Sequence, residues 1–100
     1  MGQFFRFVNK ATKGISTIPI GNNQGSSHSV NLHLPTKPDK TVLNTFKQVA
    51  NGNQWELKDM IAVGDYGNLV WIENDIVNYG YIADEQYQDY KDLYTSIWEN

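Results

Sequence analysis

The chain contains no cysteine and no long apolar run. The absence of cysteine excludes disulfides, thiolate catalysis and cysteine-based metal sites. No apolar stretch has the length that a membrane span needs, and the N-terminus lacks the basic segment and apolar run of a signal peptide. These absences predict a soluble, cytoplasmic protein with no membrane contact.

The chain also has little net charge and only two histidines. A formal net charge of −3 argues against a protein that binds nucleic acid by neutralising phosphates, and it is too small for a DNA mimic. His28 and His33 have no carboxylate near them in sequence, and their spacing matches no common metal motif. We therefore expect no direct nucleic-acid binding, no metal site and no cofactor.

One hundred residues are enough for one small domain, residues 1–100. Forty per cent of the residues are hydrophobic and thirteen per cent are aromatic, which suffices for a single core. The chain is therefore expected to fold without disulfides or metal.

The stretch from Trp55 to Ile82 is densest in β-branched and aromatic residues and predicts a three-stranded antiparallel meander. Gly64 to Gly67 forms a four-residue turn between the first two strands. Asn74-Asp75 forms a two-residue hairpin turn between the second and third, because both residues tolerate a positive φ. The predicted strands are Met60 to Val63, Leu69 to Glu73 and Ile76 to Ile82.

Alternation of side chains along these strands predicts one core face. The turns pair Ile72 with Val77 and Ile61 with Val70. The core face then holds Ile61, Val63, Val70, Ile72, Val77, Tyr79 and Tyr81. The opposite face holds Met60, Ala62, Leu69, Trp71, Asn78 and Gly80.

Trp71 lies at the centre of that opposite face and has two interpretations. In the first, a helix or the N-terminal hairpin covers its ring. In the second, the ring is an open platform for a partner or a flat ligand, as exposed apolar patches often are.

The remaining elements complete an α+β domain with a mainly antiparallel sheet of five to six strands and two helices, the second C-terminal. Pro19 removes a backbone donor and places its strand at a sheet edge or ends it. The further strands are Gln3 to Val8, Ile15 to Ile20 and Val30 to Leu34, and the helices are Pro38 to Asn51 and Asp84 to Trp98.

Both helices have an apolar stripe. In the first it consists of Val42, Leu43, Phe46, Val49 and Ala50, with Gly52 as the stop signal. The stripe of the second is aromatic, and either it packs on the domain or it recognises a basic partner surface with help from Asp89 and Asp92. It consists of Tyr87, Tyr90, Leu93, Tyr94, Ile97 and Trp98.

Gly21 to Ser29 is the longest polar run and predicts a loop. A flexible connector is one interpretation. In the other, its small residues offer backbone N–H groups and hydroxyls to an anion such as a nucleotide phosphate, although the loop lacks the ending of a P-loop. The residues of that ligand loop would be Asn22, Asn23, Gly25, Ser26, Ser27 and His28.

Two stretches resemble parts of a loose group of small uncharacterised bacterial and phage proteins. Met1-Gly2-Gln3-Phe4-Phe5 followed by Val8-Asn9 is similar to their opening. Trp55, Asp59, Ile61 and Gly64-Asp65-Tyr66 are similar to a tryptophan, Asp-x-Ile and Gly-Asp-Tyr series in some of them. The resemblance implies a shared structural turn at Gly64 to Gly67 and no catalytic residues.

No motif assembles a nucleophile with a base, and Asp65 and Asp75 are predicted at opposite ends of the meander, so we expect no enzyme. The leading hypothesis is a small inhibitor or immunity-type protein, such as a phage-encoded anti-defence factor, that binds a protein partner, possibly a basic one. The alternatives are a module that binds a small molecule or nucleotide and a structural homo-oligomer. The proposed partner contacts are Trp71, Tyr87, Tyr90, Tyr94, Trp98, Asp89 and Asp92.

Overall fold

The fold consists of an antiparallel sheet with a helix on one face and an irregular helical segment on the other. The computed structural model describes residues 2–16, 30–33 and 40–99. Within them the strands lie in the order β2-β1-β3-β4-β5, and all neighbours are antiparallel. The elements are β1 (Gly2–Asn9), β2 (Val30–His33), α1 (Lys40–Asn53), β3 (Met60–Gly64), β4 (Asn68–Glu73), β5 (Ile76–Tyr81) and the C-terminal segment, residues 85–99.

This architecture confirms the predicted α+β class, with an antiparallel sheet and two helices. The buried hydrophobic side chains described in the sheet come from β1, β3 and β4, whereas β5 has none that is fully buried. The short β2 pairs with β1 at the edge. Of the strand predicted at residues 15–20, the structure describes residues 15 and 16, and Ile15 forms a bridge with Val8. Residues 17–20, the polar loop at 21–29 and the start of the first predicted helix at 38–39 lie outside the described residues.

The hairpin of β4 and β5 has the predicted turn and register. Asn74 and Asp75 have φ values of 55° and 60°, as a two-residue type I′ turn requires. Glu73 pairs with Ile76 beside the turn, and Trp71 pairs with Asn78 further along. The sequence prediction of this hairpin is therefore confirmed.

The register of β3 against β4 differs from the prediction by one residue. Ala62, rather than Ile61, pairs with Val70. The loop has three residues instead of four, because Gly67 adopts a φ of 91° and donates its N–H to the carbonyl of Gly64 at 2.9 Å. A glycine in this left-handed conformation is typical of three-residue hairpin loops.

This one-residue shift exchanges the two faces of β3. The prediction that Ile61 and Val63 share a face with Val70 is wrong; Met60 and Ala62 do. Two apolar clusters result, one on each face of the sheet. The first is formed by Phe5, Phe7, Met60, Ala62, Val70 and Ile72 with Val42, Phe46, Val49 and Ala50 of α1. The second is formed by Val8, Ile61, Val63 and Leu69, covered by apolar side chains of the C-terminal segment.

Helix α1 ends two residues later than predicted and without using Gly52 as its stop. Gln54 takes the left-handed conformation, with a φ of 60°. The N–H of Trp55 bonds to the carbonyl of Ala50 at 2.8 Å, and that of Gln54 to Asn51 at 3.3 Å. These two bonds form a Schellman motif, which satisfies carbonyls that the helix end would leave unpaired.

The C-terminal segment is not the regular helix that its apolar spacing predicts. It begins as a 3-10 helix (Glu85–Tyr90), continues as α2 (Lys91–Tyr94) and widens into a π-helix (Thr95–Glu99). The 3-10 part is kinked at Tyr87, whose φ of −112° and ψ of 16° are not helical. Tyr87 and Tyr90, on the two sides of this kink, both pack against the second cluster. No residue of the segment is fully buried.

Candidate functional site

The aromatic residues expected to contact a partner all pack on the sheet. Trp71 and the four aromatic residues of the C-terminal segment are half-buried against the second cluster. The ring centroids of Trp71 and Tyr87 are 5.7 Å apart, and those of Tyr87 and Tyr90 are 6.5 Å apart. Of the two interpretations of Trp71, the one in which a helix covers its ring therefore agrees with the structure. The two acidic residues, Asp89 and Asp92, are exposed.

Two side-chain hydrogen bonds attach the second half of the segment to the β3–β4 hairpin. The hydroxyl of Tyr94 donates to the carbonyl of Asp65 at 2.7 Å. The indole Nε1 of Trp98 donates to the carbonyl of Val63 at 3.1 Å. Half-buried tyrosine and tryptophan need such partners for their polar atoms, so these bonds specify where the segment lies.

The turn at Asp65 is itself attached to β1. The N–H of Asp65 bonds to the carbonyl of Phe4 at 2.9 Å, and the Asp65 carboxylate accepts the N–H of Phe4 at 3.2 Å. Asp65 thus joins the end of the sheet to the C-terminal segment.

Tyr94 makes the anchoring of the segment sensitive to alkaline pH. Burial raises the pKa of Tyr94 above its usual 10.0, and nearby Glu99, Asp65 and Tyr81 raise it further. A raised pKa means that the folded state prefers the neutral phenol. The stability linked to this preference is complete below the unfolded pKa of about 10 and is lost as pH rises through the higher folded pKa.

Across this alkaline interval, we therefore expect the denaturant midpoint of the wild type to decrease by more than that of Tyr94→Phe. Phenylalanine at position 94 cannot ionise. At neutral pH the variant should be less stable by about 1 kcal/mol, because it lacks the hydrogen bond to Asp65. Ser96→Ala, which removes an exposed hydroxyl from the same segment, is the control. Parallel pH curves for wild type and Tyr94→Phe would contradict the expectation.

The exposed aromatic residues lie elsewhere, around the end of β5. Tyr66 is 66% exposed, Tyr79 39% and Tyr81 45%. Tyr79 and Tyr81 point to the α1 side of the sheet, where Val77 packs against the first cluster. The prediction that Val77, Tyr79 and Tyr81 share a buried face is wrong for the two tyrosines, because β5 is the last strand in the sheet order.

The β3–β4 loop and the chain after β5 bring these tyrosines together. Asn68 pairs with Tyr81, and a Cβ on Gly67 would lie 3.3 Å from the Tyr81 ring, so the loop that carries Tyr66 lies beside Tyr81. The N–H of Asp84 bonds to the carbonyl of Tyr81 at 2.9 Å, which places exposed Asp84 and Glu85 directly after the strand. We name Tyr66, Tyr79, Tyr81, Asp84 and Glu85 the tyrosine–carboxylate surface.

The stretch of chain that carries this surface is strongly one-sided in charge. Nine of the eleven acidic residues and only one of the eight basic residues lie between Asp59 and Glu99. Within residues 2–16, 30–33 and 40–99, the one ion pair joins Lys58 to Glu56, outside that stretch. The small overall charge of the chain therefore conceals an acidic half, which is also the half that forms β4, β5 and the C-terminal segment.

Comparison of the chain with protein-family models, curated proteins and solved structures finds no match. The resemblance of the chain to small bacterial and phage proteins thus rests on the quoted residues alone.

Chemically, the tyrosine–carboxylate surface combines aromatic area with acceptors for basic side chains. Tyrosine supplies a large contact surface with few rotatable bonds, and carboxylates accept bidentate hydrogen bonds from arginine.

The part of the chain that the structure describes holds no cluster of three or more His, Asp or Glu side chains placed to share a metal ion. Among the same residues, none of the helices has the length and apolar character of a membrane crossing.

Proposed function

We propose that this protein acts by binding another protein through the tyrosine–carboxylate surface, in the manner of a small inhibitor or immunity-type factor. The observation that supports the proposal is the exposure of Tyr66, Tyr79 and Tyr81 next to the exposed carboxylates of Asp84 and Glu85. Tyrosine is enriched among the residues that dominate binding energy at protein interfaces.

The charge of this half of the chain favours a basic partner. A second copy docked by the same surface would bring Asp84 and Glu85 of both copies together, and like charges facing each other across an interface are costly. A partner that presents arginine or lysine gains charge-assisted hydrogen bonds there instead. We therefore favour a heterologous basic protein over a homo-oligomer.

Site-specific cross-linking tests the proposal. A photo-reactive phenylalanine analogue replaces Tyr66, Tyr79 or Tyr81 in turn, and the cross-linked protein is identified by mass spectrometry. Ile76 is the matched control position, because it is 58% exposed on the same strand but lies at the opposite end, beside the β4–β5 turn. We expect one basic protein to be captured at the tyrosine positions and not at Ile76.

The identified partner is then purified and titrated by calorimetry. Tyr81→Ala is expected to weaken binding by about 2 kcal/mol, roughly thirtyfold, whereas Ile76→Ala should change it little. High salt should weaken binding, since ion pairs between Asp84 or Glu85 and basic residues of the partner would be exposed to solvent. Equal affinity of wild type and Tyr81→Ala, or equal cross-linking from Ile76, would refute this surface.

A further inference from the structure

Two adjoining cavities share Lys10 and Trp71 as walls. The inner one has a volume of about 150 Å³, and its other walls are Ile61, Tyr87 and Tyr90. The outer one has a volume of about 520 Å³ and reaches the β4–β5 turn. None of these five wall residues belongs to the tyrosine–carboxylate surface.

The backbone holds the walls of the inner cavity in place. Ile61 and Trp71 lie on β3 and β4, and the N–H of Lys10 bonds to the carbonyl of Asp59 at 2.6 Å, directly before β3. Tyr87 lies against Gly80, where a Cβ would come within 2.7 Å of its ring. Glycine at position 80 therefore permits the close approach that brings Tyr87 to Trp71.

The composition of the inner cavity favours one class of ligand. Three walls are aromatic, one is aliphatic, and the only charged wall is Lys10. In the described ranges no carboxylate lies within ion-pair distance of the Lys10 ammonium. A cavity of about 150 Å³ is the size that accommodates benzene. Planar rings pack well against indole and phenol, and a lysine at the wall favours an anion over a cation.

We propose that the inner cavity binds a small planar aromatic molecule that carries one acidic group. The ring lies among Trp71, Tyr87 and Tyr90, and the acidic group faces Lys10. The outer cavity offers room for further substituents, and its own walls include Lys58, Glu73 and Asp75. This site is independent of the proposed protein-binding surface.

Three probes of the same size test the assignment: benzoate, neutral benzyl alcohol and cationic benzylamine. Each is titrated into the protein while the side-chain N–H signal of Trp71 is followed by NMR. We expect benzoate to bind most tightly and benzylamine most weakly. Lys10→Met should weaken benzoate about fivefold and leave benzyl alcohol unchanged.

Two further variants separate charge from packing. Lys10→Arg should keep the preference for benzoate, and Lys47→Met, at an exposed position on α1, should behave as wild type. The proposal is overturned if no probe shifts the Trp71 signal, or if benzylamine binds as well as benzoate. The latter result would assign the three aromatic walls to a cation instead. Neither result would affect the cross-linking at Tyr66, Tyr79 and Tyr81.

Discussion

Replacing Phe46 with alanine is expected to lower the free energy of unfolding by about 3–5 kcal/mol. The Phe46 side chain is fully buried between α1 and the sheet. Its ring packs edge-on against Phe7, with centroids 4.9 Å apart and planes at 87°. The substitution removes this contact and leaves a cavity that the surrounding strands can close only in part.

A loss of this size is a large share of the stability of a small domain, about 5–15 kcal/mol. Urea unfolding followed by circular dichroism measures it. Lys47→Ala is the matched control, because it is the next residue on α1, is exposed, and should change stability by no more than about 0.5 kcal/mol. Equal midpoints for the two variants would show that Phe46 is not part of the core.

Trp98→Ala is expected to lower the free energy of unfolding by about 2–3 kcal/mol. The same change at a fully buried aromatic residue costs about 3–5 kcal/mol. The loss is smaller here because Trp98 is half-buried. Two contributions are lost together: packing on the second cluster and the hydrogen bond to the Val63 carbonyl. Trp98→Phe keeps most of the packing and removes the donor, so it should cost about 1 kcal/mol.

These variants distinguish a packing role for Trp98 from a role in partner recognition. Ser96→Ala, at an exposed position in the same segment, is the control for both and should be nearly neutral. Amide hydrogen exchange should also show faster exchange in residues 85–99 of Trp98→Ala, since the segment loses one of its two side-chain anchors. If Trp98→Ala were as stable as wild type, Trp98 would be free to serve a partner after all.

The elements that could be predicted from sequence are those whose causes are local. The β4–β5 hairpin depends on two residues, Asn74 and Asp75, that accept a positive φ, and its register follows from that turn alone. The stripe of α1 depends on apolar residues at helical spacing, and all five of its members contact the first cluster.

The elements that sequence analysis missed depend on choices between similar local energies. A three-residue and a four-residue loop both fit Gly64 to Gly67, and the difference exchanged the faces of β3. The C-terminal segment has a helical pattern, yet contact with the sheet determines whether its turns are 3-10, α or π. In both cases a small local difference is decided by burial of apolar area elsewhere.

The acidic character of the candidate site could be predicted from the sequence. The concentration of nine acidic residues after Lys58, against one lysine, is visible without a structure. The exposure of Tyr79 and Tyr81 was not, because alternation alone assigns them to a core face. Only their place on the last strand of the sheet leaves them exposed.

The sequence by itself determined the α+β class, the β4–β5 turn and the apolar stripes, since backbone preference and periodicity act within a few residues. The tertiary structure alone decided the register of β3, the order of the strands and the side of the sheet on which each aromatic residue lies. These depend on contacts between residues far apart in the chain, such as Phe7 with Phe46 and Trp71 with Tyr87. Exposed and half-buried tyrosines are therefore alike in sequence and differ in what the fold places over them.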